Sequence, residues 1–178
     1  MVAAAIAALG VAGSLGLTAV LGLKPCPLCF YQRAFVMAAL AVLAVGLVAR
    51  VPGATLCALG VPLAVGGLGV GAFHVWLEAS GRLDCPDGFF GLGSAPKQSL
   101  VLYLLLAPVL LAGAWRGRAG AQAVGLGATL GLFLAAGSCL ANGPMPPAQP
   151  PKLDAGGKPV PLTICVPHFS GPAEKPGG

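Results

Sequence analysis

The side chains best suited to chemistry are six cysteines (Cys26, Cys29, Cys57, Cys85, Cys139 and Cys165), with His74 and Arg33 embedded in otherwise apolar sequence. Cys26 and Cys29 lie in Lys24-Pro-Cys-Pro-Leu-Cys-Phe-Tyr-Gln-Arg33, where a helix is expected to begin near Pro27. A thiolate at a helix N-terminus is stabilised by the partial positive charge there, and Cys-x-x-Cys pairs have depressed pKa values. Arg33 follows Cys29 by four residues, one turn deeper on the same face. A cation so close to hydrocarbon is costly and marks a functional site. Its use here is to hold an anion, either the Cys29 thiolate or a reduced acceptor beside it. The chemistry this implies is thiol–disulfide exchange coupled to electron transfer.

Other uses of the pair fit less well. Half a zinc site is one, but the chain has no second Cys-x-x-Cys and no His-x-x-x-His, so no metal is assigned. A c-type haem needs His after the second cysteine, where Phe30 stands. A purely structural disulfide across so short a loop would be strained.

A second redox element is expected at Cys85, in Asp84-Cys-Pro-Asp87. Its partner must lie on the same side of the membrane. Cys165 fits and is favoured, because the long C-terminal stretch can fold back, whereas Cys139 at the end of the last apolar segment remains open. Cys57 reads as a small apolar filler at the opposite end. His74 and Glu78 lie one turn apart near the outer end of the third segment. His74 is either a hydrogen-bonded packing residue or a donor to a quinone carbonyl beside Cys29 that also helps move protons. Tyr31 and Trp76 read as interfacial aromatics.

These groups need a scaffold, and the composition says which. Of 178 residues, 57% are hydrophobic and 8% charged, with mean hydropathy +0.89. A soluble domain is roughly 45–50% apolar and about 25% charged, so a soluble globular enzyme is excluded and the second solvent is lipid. The net charge of +5 is too thinly spread for a nucleic-acid surface. Apolar segments at about 3–22, 30–49, 54–77, 99–115 and 121–140 are each expected to span as helices. The expected fold is an all-α integral membrane protein, a four-helix transmembrane bundle plus a fifth transmembrane helix. The first segment lacks the positive n-region and cleavage context of a signal peptide, so it is read as a span. One set of short loops carries Arg50, Arg116 and Arg118 and no acid, and is expected to be cytoplasmic. That places Cys26, Cys29, Cys85 and Cys165 on the extracytoplasmic side. Ten of the 17 prolines fall between Pro144 and Pro176. The expected division is therefore a bundle over residues 1–142 and a Pro/Gly-rich extracytoplasmic tail over 143–178, extended or disordered.

With its Cys-Pro-Leu-Cys-Phe-Tyr-Gln-Arg block (Cys26 to Arg33), His74 some eleven residues before Cys85, and the helix order around them, the chain resembles the bacterial disulfide-bond-formation protein B (DsbB) family over roughly Met1 to Trp115. The resemblance implies a four-helix inner-membrane bundle that reoxidises a periplasmic thioredoxin-fold (DsbA-like) dithiol oxidase and passes two electrons to a membrane quinone, ubiquinone or menaquinone. By the same resemblance, Cys29 would contact the quinone, Cys26 would exchange with the outer pair, Arg33 and His74 would support the quinone, and Cys85 would form the mixed disulfide with the partner. Gln32 stands where an acid also occurs in the family. Two departures are visible. The family usually carries both cysteines of its second pair in the loop between helices three and four, whereas here that loop holds Cys85 alone. A fifth apolar segment follows, which would return the tail and Cys165 to the outer side.

The rival assignments are a vitamin K epoxide reductase-like thiol/quinone enzyme, whose loop cysteines precede its Cys-x-x-Cys, and a non-catalytic membrane protein with a structural Cys-x-x-Cys.

Overall fold

The computed structural model describes residues 1–117, 120–141, 148, 154 and 160–169. Arg118 and most of the segment 143–178 lie outside the described residues, and so does the expectation that this segment is extended. Five helices form: α1 (Val2–Ala19), α2 (Pro27–Val48), α3 (Gly53–Ala79), α4 (Ala95–Arg116) and α5 (Ala121–Leu140). All five are long and apolar enough to cross a membrane. Helices are what lipid demands, because only they satisfy every backbone group within one segment. The chain is a multi-pass α-helical membrane protein.

Two helices start earlier than hydropathy alone suggests. Pro27 occupies the first turn of α2 and Pro96 that of α4, positions where a missing N–H costs nothing. The first turn of α4 also carries Lys97, whose ammonium meets Glu78 of α3 at 2.8 Å. Ser94, the N-cap of α4, donates to the same carboxylate at 2.6 Å. A polar first turn is thus folded into the helix by partners that an apolar window cannot see.

The central helix is α3. It packs against α2, α4 and α5, while α1 packs on α2 and α4. Small residues make this possible: Gly60, Gly66, Gly67 and Gly71 all lie on the buried face of α3. At Gly67 a Cβ would fall inside the ring of Tyr103, which is fully buried and donates from its hydroxyl to the carbonyl oxygen of Gln32. Overpacking at such a contact costs roughly 1–3 kcal/mol. Gly67→Val is accordingly expected to lower the thermal midpoint of the detergent-solubilised protein. Gly137→Ala, which meets open space, should leave it unchanged.

Successive spans place the end of α1, the start of α2, the end of α3, the start of α4 and the end of α5 at one end of the bundle. There the α3–α4 loop forms β1 (Leu83–Asp84), paired antiparallel with β2 (Val166–Pro167) from the C-terminal segment. The pairing is reinforced by Lys24 N–H to Thr163 O at 2.7 Å, and by His168 N–H to Arg82 O at 3.1 Å. His168 Nδ1 also lies 2.8 Å from Asp84 Oδ2. This two-stranded ribbon adds to an otherwise helical fold and ties residues 160–169 across the cysteine end. At the opposite end, Cys57 packs as filler against Gly113.

Candidate active site

Cys26 is the N-cap of α2: its sulfur accepts from the Cys29 backbone N–H at 3.3 Å. The two Sγ atoms are in hydrogen-bond contact at 2.9 Å, and both are free thiols. Cys26 is fully buried. The hydrogen bond with Cys29 nevertheless holds its thiol well below the ordinary thiol range; burial opposes this, and His74 and the Cys29 N–H reinforce it. The charged form therefore exists above the depressed value and is lost as pH falls through it. Thiolate absorbance in the reduced protein is expected to persist to mildly acidic pH, and His74→Ala should move its loss to higher pH. An unchanged titration in that variant would remove His74 from the account.

Cys85 and Cys165 form a disulfide, while Cys139 keeps a free thiol packed beside the cluster. Cys165 is 2% exposed, whereas Cys85 is only half-buried. Of the two residues of the outer disulfide, Cys85 is thus the more accessible. The Sγ atoms of Cys26, Cys29 and Cys165 and a ring nitrogen of His74 all lie within 4.8 Å of one another.

His74 is fully buried between the two pairs: Nε2 lies 3.5 Å from the Cys85 sulfur and 3.8 Å from that of Cys26. Of the two expectations for His74, a packing residue or a quinone donor, its place is the interior between the cysteine pairs, and it does not line the cavity described next. Its Nδ1 faces the amide nitrogen of Gln32 at 3.3 Å. With the amide nitrogen donating, Nδ1 accepts and the ring proton sits on Nε2 toward sulfur; turning the amide over reverses the tautomer. Gln32 is itself buried, and Tyr103 holds its backbone carbonyl. This positioning role of Gln32 was not readable from sequence. The one signal available was an uncharged polar residue inside a span.

A cavity of about 150 Å³ opens between α1, α2 and α4, with mostly apolar walls. Cys29, Gln32, Arg33, Ser14 and Cys165 contribute to its lining. Arg33 donates from Nε to Ser14 Oγ at 2.8 Å, and from Nη2 to Ser14 O at 2.8 Å and Thr18 Oγ1 at 2.7 Å. Its Nη1 has no hydrogen-bond partner among the described residues. Arg33 does not hydrogen-bond the Cys29 sulfur, as the sequence expectation allowed; it is clamped to α1 and shares the cavity wall with that thiol. Trp76 is half exposed beneath Arg82, 5.0 Å from its guanidinium carbon, and stacks on Phe73. Tyr31 donates to Ala141 O at 3.4 Å.

A protein-family model described as "Disulfide bond formation protein DsbB" matches residues 1–101. The chain belongs to the DsbB family. Comparison with curated proteins and with solved structures returns no match. The matched region holds Cys26, Cys29, Arg33, His74 and Cys85, and ends within α4. The rest of α4, all of α5, Cys139 and Cys165 lie beyond it. Membership in the DsbB family makes the protein a membrane oxidoreductase of disulfide formation.

Proposed function

We propose that the protein is a membrane thiol:quinone oxidoreductase that reoxidises a DsbA-like thioredoxin-fold dithiol oxidase, with its cysteine end facing the periplasm from the bacterial inner membrane. The observation that carries this reading is the stacking of two cysteine pairs between solvent and an apolar cavity with a guanidinium on its wall. In this reading the bundle (residues 1–142) holds the acceptor side, and the tail (143–178) delivers the second outer cysteine.

The electron path follows from exposure. A partner thiolate attacks Cys85, the more exposed residue of the pair; the Cys85–Cys165 bond breaks and Cys165 leaves as thiolate. The partner's second thiol then attacks the mixed disulfide, leaving the partner oxidised and Cys85 reduced. The Cys165 thiolate attacks Cys26 of an oxidised inner pair, forming a Cys26–Cys165 bond and releasing Cys29. Cys85 then attacks Cys165, restoring the outer disulfide and leaving Cys26 and Cys29 as dithiol. That distribution, thiols inside and disulfide outside, is the one found here. His74 Nε2–H supports each thiolate that forms at Cys26 or Cys85.

The cavity suits a quinone headgroup: its walls are largely apolar, Cys29 contributes to them, and Arg33 Nη1 retains donors for an acceptor oxygen. A bound quinone supplies a two-electron, two-proton sink that returns Cys26 and Cys29 to a disulfide. Arg33 orients that acceptor and holds its developing charge, while the clamp to Ser14 and Thr18 fixes the guanidinium beforehand.

The deciding experiment mixes the purified full-length protein in detergent with a reduced thioredoxin-fold oxidase and a short-chain quinone. Quinone loss matched by partner oxidation is expected. A wild-type protein that reduces no quinone would leave a structural role for the pair.

A further inference from the structure

We propose that reduction of the Cys85–Cys165 disulfide converts this region into a closed four-donor site for a thiophilic d10 cation such as Zn²⁺, built from Cys26, Cys29, His74 and Cys165. The donors come from three separate elements: α2 with its N-cap, α3, and the C-terminal segment. All four donor atoms already lie within 4.8 Å of one another. A tetrahedral zinc centre has Zn–S about 2.3 Å and Zn–N about 2.0–2.1 Å. Its donors are therefore separated by roughly 3.5–3.8 Å, so closure asks for movements of about 1 Å. Burial favours the site as well. Cys26 and His74 are wholly buried and Cys165 is 2% exposed, so a bound cation would be shielded from water.

The outer disulfide is the lock. While Cys165 is bonded to Cys85 it has no thiolate to offer, and only Cys26, Cys29 and His74 remain. A phosphine reductant opens the lock: with water it gives the phosphine oxide and two thiols. Binding of Zn²⁺ to three thiols and the imidazole then releases three protons and leaves a centre of net charge −1. Ligation through Nε2 requires the ring proton to sit on Nδ1. Gln32 accommodates this by turning its amide so that Oε1 accepts from Nδ1–H, the outer-shell contact that ligating histidines use. A chain whose inner and outer pairs are both reduced would thus be captured by metal and withdrawn from oxidation until the metal is removed. The metal site does not rest on the quinone reading, because it is measured with no quinone or partner present.

The test uses Co²⁺ as a spectroscopic stand-in for Zn²⁺, added anaerobically to the full-length protein in detergent with a phosphine reductant. Expected is one equivalent of Co²⁺ with the intense visible bands and sulfur charge transfer of tetrahedral thiolate coordination, displaced by Zn²⁺. The same protein without reductant should bind at least tenfold more weakly. Cys85→Ser and Cys165→Ser abolish the same disulfide, so any effect on folding is shared. Only Cys85→Ser keeps the fourth donor, and it should retain the spectrum while Cys165→Ser loses tenfold or more in affinity. Equal binding by these two variants, weak octahedral bands, or loss of the signal in Cys57→Ser/Cys139→Ser would overturn the site. Should both single variants fail to fold, wild type with and without reductant still decides.

Discussion

The Cys29→Ser protein is expected to reduce no quinone at all, while remaining able to exchange thiols with its own outer disulfide. Serine has no sulfur with which to close the inner disulfide, so two electrons arriving at Cys26 have no exit. The Cys26 thiolate still lies within 4.8 Å of the Cys165 sulfur. It can attack there, form Cys26–Cys165 and release Cys85. Non-reducing peptide mapping of Cys29→Ser should therefore recover a Cys26–Cys165 peptide that wild type lacks. Cys26→Ser should lose quinone reduction equally and give no such peptide. Residual quinone reduction in Cys29→Ser would show that electrons leave by another sulfur, with Cys139 the first to examine because it packs against the same cluster.

Arg33→Leu carries the second large effect. A hydrogen bond to a charged group contributes about 1.5–3 kcal/mol, and a loss of about 2 kcal/mol corresponds to about 30-fold in apparent affinity. The KM for quinone is expected to rise by about that factor, measured at saturating partner. Arg33→Lys should recover only part of it. An ammonium is a point donor and cannot hold Ser14 and Thr18 while also reaching an acceptor oxygen. An unchanged KM in Arg33→Leu would mean that the cavity between α1, α2 and α4 is not where the acceptor binds.

The spans were legible because runs of about twenty residues without charge have one stable form in lipid. What the runs could not show is where polar first turns join them. Lys97 and Gln98 belong to α4 because Glu78 and the backbone of Phe89 receive them, contacts made across the α3–α4 loop. The meeting of Cys26 with Cys29 was legible from local spacing, since Cys26, Cys29 and Arg33 share one helix start. His74 was legible only to its depth. One ring nitrogen faces Gln32 from another helix, and its sulfur neighbours come from α2 and a loop, so no local pattern encodes them. The four-donor cluster was hidden for the same reason. A zinc motif is recognised by close spacing, whereas here the donors meet only after the chain has crossed the membrane twice more and turned back.

That last turn has a consequence for biogenesis. The ribbon that brings Cys165 onto Cys85 joins the segment after α3 to the segment after α5. It can close only when two further helices have been threaded through the bilayer and the C-terminal segment has reached the side of the α3–α4 loop. A chain stalled during synthesis, or one whose last helix fails to insert, has the Cys26–Cys29 pair but lacks the Cys85–Cys165 disulfide. If the outer disulfide is the electron entrance as proposed, oxidative competence is withheld until insertion is complete, and half-built copies stay inert toward thiols.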